Sequence, residues 1–253
     1  MEAVKITMAA LVAAVCAASP ARALATDITV SAAASLTNAF KEIGAAYEKE
    51  HAGDKVLFNF AASDPLVQQI SKGAPVDVFA SADQEAMDKA DALKLLAPGS
   101  RRNFVTNRVV LIVPAGSKLG IRDVADLRQA AVTRVTLGNP ASVPVGRYAK
   151  DALAQAGLWA AVAPKAIFGT SVRQSLDYVA RGEVDAGLVY ATDAIVQKAK
   201  VRVIATVPTA TPVSYPIAVV AAGPQPAAGR TFVDYVLAPA GQAILARHGF
   251  GRP

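Results

Sequence analysis

Apolar positions along this chain follow two periods in turn. "DITVSA" (27–32) and "KVLFNFA" (55–61) are short strand-like runs. Between them "SLTNAFKEIGAAYEKE" sets Leu36, Phe40, Ile43 and Tyr47 at helical spacing. "DPLVQQISKG" follows as a helix, with Asp64 the expected N-cap, Pro65 the first helical residue and Gly73 the terminator. "VDVFAS" (76–81) is a third strand and "DQEAMDKADALKLL" a further helix. Strands and helices that alternate in this way build a mostly parallel sheet flanked by helices.

The rhythm breaks at "NRVVLIVPAG" (Asn107 to Gly116), a long apolar strand. It then restarts with helix "DVADLRQA", strand "RVTLGNP", helix "GRYAKDALAQAG", strand "PKAIFG", helix "SVRQSLDYVARG" and strands "DAGLVYATDA" and "VRVIATV". A second long strand, "YPIAVVAAG" (Tyr215 to Gly223), leads into two final helices, "AAGRTFVDYVL" and "PAGQAILARHGF". Two alternating series parted by two long strands predict an α/β protein of two lobes joined by two crossover strands. Residues 26–107 and 214–253 form lobe one and residues 108–213 lobe two. Neither crossover is Gly/Ser-rich, so both are expected to be structured. Ligands of open α/β sheets sit beyond the carboxyl ends of the strands. Two such lobes face to face make a cleft with helix N-termini aimed into it.

Residues 1–25 read as a cleavable signal peptide. Lys5 precedes an apolar run of 13 residues, Ile6 to Ala18, and "SPARALA" ends in the small-x-small pattern Ala23-Leu24-Ala25. The run is short of the ~20 residues that span a bilayer. Cleavage is expected after Ala25. Cys16 lies inside this segment and follows Val15, where a lipoprotein signal wants small residues, so the mature chain contains no cysteine. Removing Lys5, Arg22 and Glu2 from 26 basic and 20 acidic residues leaves 24 and 19, a net charge of +5. These charges are scattered and no basic stripe is interleaved with aromatics, which argues against a nucleic-acid partner. A mild positive field favours an anionic ligand.

Two segments raise the same chemical question. "AAASLTNAF" (32–40) places Ser35 after the first strand at the mouth of a helix, and "FAASDPLVQQI" (60–70) does the same with Ser63. A serine there is commonly an N-cap and nothing more. Two at equivalent junctions can equally offer hydroxyls and backbone N–H groups to an anion at the positive ends of helix dipoles. In lobe two, "GNPASVPVGRY" brings the Val145 N–H to a helix start. "GTSVRQSL" brings Val172, with Thr170 or Ser171 as cap, and "GLVYATDA" ends a strand at Tyr190. Arg173 reads as a solvated first-turn residue and Asp193 as a helix cap. His51 and His248 stand apart and suggest no metal cluster. There is no G-x-S-x-G elbow, no phosphate-loop motif and no mature thiol, so nothing points to an enzyme.

The segments "AAASLTNAF", "GAPVDVFASADQEAMD", "GNPASVPVGRYAKDAL", "VRQSLDYVARGEVDAGLVYATDA" and "GQAILARHGF" together resemble the periplasmic molybdate-binding proteins of bacterial uptake systems, over essentially the whole mature chain. The resemblance implies the type II periplasmic-binding-protein fold and a monomer that carries molybdate, with tungstate as a second ligand, to the membrane permease of an ABC transporter. It needs no cofactor, and molybdenum enters only as the oxyanion. It also implies the ligand set: hydroxyls of Ser35 and Ser63, backbone N–H of Val145 and Val172, and the phenol of Tyr190. The second turn departs from the family in reading "AASDPL" where relatives carry a run of serines and threonines. Asp64 must therefore turn away from a dianion. A receptor for sulfate, phosphate or an organic acid is the alternative on the same fold. An enzyme or ligand sensor is a third reading.

Overall fold

The structure, a computed structural model, describes residues 26–253. The expected signal peptide lies outside the described residues. Among them, two five-stranded sheets form. The first contains β1 (Asp27–Ala33), β2 (Lys55–Ala61), β3 (Val78–Ala80), β4 (Arg102–Asn107) and, from much later in the chain, β10 (Val213–Val219), in the order β2-β1-β3-β10-β4. The second contains β5 (Val109–Pro114), β6 (Val135–Gly138), β7 (Ala166–Gly169), β8 (Ala186–Tyr190) and β9 (Val201–Val207), in the order β7-β6-β8-β5-β9. Both follow one plan. Three parallel strands adjoin an antiparallel one, β10 or β5, which carries the outermost strand on its far side.

Helices α1 (Thr37–Glu50), α2 (Ser63–Ser71) and α3 (Gln84–Ala92) follow β1, β2 and β3. In the other lobe α4 (Pro144–Gln155), α5 (Trp159–Val162), α6 (Val172–Ala180) and α7 (Ala191–Val196) follow β6, β6, β7 and β8, and α8 (Pro226–Leu237) and α9 (Pro239–Arg247) close the chain. The spacing read for α1 is realised: Phe40, Ile43 and Tyr47 are fully buried. Phe40 packs at 5.8 Å from Phe104 and 6.3 Å from Phe232, ring centre to ring centre, which ties α1 to β4 and α8.

β4 and α5 were not expected, and three further elements differ from the expectation. Asn107–Gly116 is not one strand: β4 ends at Asn107 and β5 begins at Val109, so the chain changes sheets at Arg108. The Asn107 side chain accepts a hydrogen bond from the Arg108 N–H at 2.9 Å, which satisfies the backbone where the ladder stops. "DVADLRQA" makes a 3-10 turn over Val124–Arg128, because it buries a single apolar residue, Leu127, and cannot anchor a longer helix. "DAGLVYATDA" stays extended only to Tyr190, and α7 follows it.

Candidate functional site

Strand register brings the two serines together. Ala33 pairs with Ala61 at the ends of β1 and β2, and Ala32 pairs with Ala80 at the end of β3. Ser35, Ser63 and Ala82 each lie two residues past these strand ends, so they emerge at nearly one level. Ser35 sits in a 3-10 turn, Ala34–Leu36, just ahead of α1, and Ser63 opens α2. From the facing lobe, Val145 is the second residue of α4, Val172 the first of α6 and Tyr190 the last of β8. All five predicted residues line one small cavity of about 10 Å³, whose remaining wall is Ala33, Ala34, Ala62, Ala82, Val143 and Pro144. Ser35 is 3% exposed and Tyr190 1%.

No lining residue carries a charge. The donors are hydroxyls and the first-turn N–H groups of α2, α4 and α6, which have no acceptor within their own helices. The helix dipoles add a diffuse positive potential there. The approach of α4 is set by glycine: a Cβ on Gly146 would lie 2.0 Å from the Gly138 carbonyl oxygen at the end of β6. Only a residue without a side chain lets this helix start so near its strand. The wall alanines likewise leave the space open.

Hydroxyl hydrogens are directed by their neighbours. The Asn107 amide donates to the Tyr215 phenol oxygen at 3.2 Å, and Tyr215 lies 3.0 Å from Ser35 Oγ. Either hydroxyl can donate in the Ser35–Tyr215 pair; when the phenol does, the serine hydrogen is left for the cavity. Ser63 Oγ accepts from the Ala82 N–H at 3.1 Å, so its own hydrogen is also free to point inward. The Tyr190 phenol donates to the Ala82 carbonyl at 3.2 Å. Burial pushes the phenols of Tyr190 and Tyr215 well above the ordinary tyrosine range, so both remain hydrogen donors.

Charged groups stand outside this lining and cross between the lobes. Arg147 of α4 reaches Asp83, the N-cap of α3, through Nη2 at 2.6 Å and Nε at 2.9 Å, and Asp64 of α2 through Nη2 at 2.7 Å. Asp64 is not the N-cap of α2, a place taken by Ala62. It turns away from the cavity to Arg147 and to Lys89, 2.7 Å away. Arg173 is not a solvated residue: its side chain is 22% exposed, bonds Asp193, and crosses to Asn38 Oδ1 at 2.8 Å and the Ser35 carbonyl at 3.3 Å. Asp193 is the third residue of α7 and not its cap; burial pushes its carboxyl up to about 6 against the pull of Arg173. Ser171 caps α6, accepting from the Gln174 N–H at 3.3 Å. His51 stacks on Tyr47 and His248 pairs with Glu42, and among the described residues no cluster suited to a metal occurs. Tyr215 and Asn107 were expected only as strand starts and Arg147 only as part of a helix, none of them at the site. Their partners lie tens to hundreds of residues away, and no local pattern marks them.

A sequence profile described as bacterial extracellular solute-binding protein matches residues 28–251. The molybdate-binding protein ModA of Escherichia coli is 39% identical over 231 residues, 88% of each chain. The periplasmic molybdate-binding protein of Azotobacter vinelandii superposes with a TM-score of 0.79 over 89% of this chain and 99% of its own, at 23% identity. The sulfate-binding protein SubI of Mycobacterium tuberculosis superposes with a TM-score of 0.77 over 89% of this chain and 86% of its own, at 21% identity. At these identities the two superpositions speak for the fold alone.

Proposed function

This chain belongs to the bacterial extracellular solute-binding proteins, and from that membership we propose that it captures molybdate in the cavity between its lobes and hands it to the permease of an ABC transporter. It is a binding protein and not a catalyst. Its place is extracytoplasmic; export by cleavage after Ala25 to the periplasm, a monomeric state and tungstate as a second ligand belong to the same proposal. So does the assignment of Ser35, Ser63, Val145, Val172 and Tyr190 as ligands, and the division into lobes at residues 107/108 and 213/214.

The observation that carries the reading is a cavity lined by buried residues whose polar groups are uncharged and mostly donors. A fully deprotonated tetrahedral oxyanion only accepts hydrogen bonds, so such a lining suits it. A protonated oxyanion leaves a hydrogen without a partner. Each N–H or O–H bond to a charged acceptor is worth ~1.5–3 kcal/mol. Several of them offset the desolvation of a dianion where one would not. The neutral lining accounts for retention without arginine or lysine contacts. Cavity size then separates molybdate and tungstate from the smaller sulfate, and cannot separate the first two from each other.

A thermal-shift panel on residues 26–253 tests this. Ligand that binds only the folded state stabilises it by ~2.7 kcal/mol at a hundredfold excess over Kd. Molybdate and tungstate should raise Tm, and sulfate and phosphate at equal concentration should not. A larger shift with sulfate would transfer the site to the alternative ligand, and no shift with any of the four would overturn the proposal.

A further inference from the structure

Each of the five proposed ligand residues lies within three positions of a member of one of two arginine-centred clusters, or offers its own carbonyl to one. Ser63 adjoins Asp64, and Val145 lies two residues before Arg147, which also holds Asp83, the residue after Ala82. Val172 adjoins Arg173, which holds the Ser35 carbonyl and also Asp193, three residues past Tyr190. Both arginines come from the first turns of lobe-two helices and cross to lobe one. Neither side chain lines the cavity.

We propose that Arg147 and Arg173 are positioning residues that hold the lobes closed and set the register of the uncharged donors around the anion. This rests on the reading of the cavity as the binding site. Arg147 has the stronger role. Its planar fork serves two carboxylates on two different helices, so it fixes the starts of α2, α3 and α4 relative to one another. When the lobes part, Asp64 and Asp83 lose this partner and keep a shared negative charge at the lip of the cleft. Lys89 stays with Asp64 and Glu85 on lobe one, so the three carboxylates keep a net negative charge that repels an incoming dianion and that Arg147 reduces on closure. The arginine couples anion capture to lobe closure because it stabilises one of the two states. A lysine, with a single compact ammonium group, cannot reproduce the two-carboxylate geometry.

The test uses residues 26–253, which contain no cysteine, with spin labels at Lys72→Cys on lobe one and Gln155→Cys on lobe two, both exposed positions. Arg147→Met and Arg147→Lys are compared with the unsubstituted chain for molybdate Kd, dissociation rate and inter-lobe distance. The expected result is a Kd raised at least about tenfold in both variants, chiefly through faster dissociation, with a longer or broader distance distribution under molybdate. A Kd within about twofold of the unsubstituted chain and an unchanged distribution would overturn the proposal. If the unsubstituted chain binds no molybdate, the functional reading fails. The positioning role is then judged on distance alone: longer distances in Arg147→Met keep it and identical ones remove it. If Arg147→Met does not fold, Asp83→Asn, which removes the partner from the other side, is judged by the same criteria.

Discussion

The Tyr190 phenol donates to the carbonyl of Ala82 at 3.2 Å, across the cleft and over 108 positions of sequence. Both residues line the cavity. One hydrogen cannot serve two acceptors, so an oxyanion that takes it releases Ala82. The phenol links the two lobes, and in the proposed site it would exchange Ala82 for the ligand. Tyr190→Phe should weaken molybdate binding by about 10- to 100-fold, the equivalent of ~1.5–3 kcal/mol for one bond to a charged acceptor. Isothermal calorimetry checks it, and an unchanged Kd would remove Tyr190 from the ligand set.

Ser35 and Tyr215 should differ in degree. Ser35→Ala removes a donor from the cavity. Tyr215→Phe leaves the donor in place and removes only the group that orients it. The expected order of molybdate affinity is unsubstituted, then Tyr215→Phe, then Ser35→Ala. The reverse order in titration would make Tyr215 the direct ligand.

Gly146→Ala should damage stability and binding together. Its Cβ would press on the Gly138 carbonyl, and the start of α4 must move away. Overpacking of this kind costs ~1–3 kcal/mol. Gly99→Ala is the control: Gly99 has φ +68° and open space around a Cβ, so it should lose ~1–2 kcal/mol from backbone strain and keep its molybdate affinity. Urea denaturation and calorimetry on both variants separate the two effects.

Asp193 predicts a pH signature. Its folded carboxyl titrates at about 6, above the ordinary value of 3.8, because burial disfavours the charge. Between roughly pH 4 and 6 the folded state holds a proton that the unfolded state has lost. The contribution of this group to stability is thus complete below pH 4 and disappears as pH rises through 6. Asp193→Asn lacks this loss. Its urea midpoint, relative to the unsubstituted chain, should be higher at pH 7.5 than at pH 4.5, and a difference independent of pH would contradict the assignment.

The lobes and the cavity were legible because their determinants are local. Alternating strand and helix periods mark each β–α unit, and small residues with a serine or glycine at a strand end mark each turn. What was not legible is non-local. "GRYAKDALAQAG" reads as an ordinary amphipathic helix until folding sets Arg147 beside carboxylates 64 and 83 positions away. Asp64 before Pro65 has the look of a cap, and the ion pair with Arg147 outweighs that local preference. Arg173 looks solvated for the same reason. β4 was missed because "RNFVTN" on an outer strand buries only Phe104 and Val105, too short a pattern to stand out.

The insertion of β10 between β3 and β4 has a consequence for how the chain is made. Lobe two runs uninterrupted from Val109 to Val207, and its sheet can assemble as soon as those residues are available. β4 is released first but finds its ladder partner, among the described residues, in a strand that begins at Val213. The sheet of the first lobe is therefore complete only with β10 in place between β3 and β4. A chain ending before Val213 would hold all five strands of the second lobe and leave the first lobe's sheet in two unjoined pieces, β2-β1-β3 and β4.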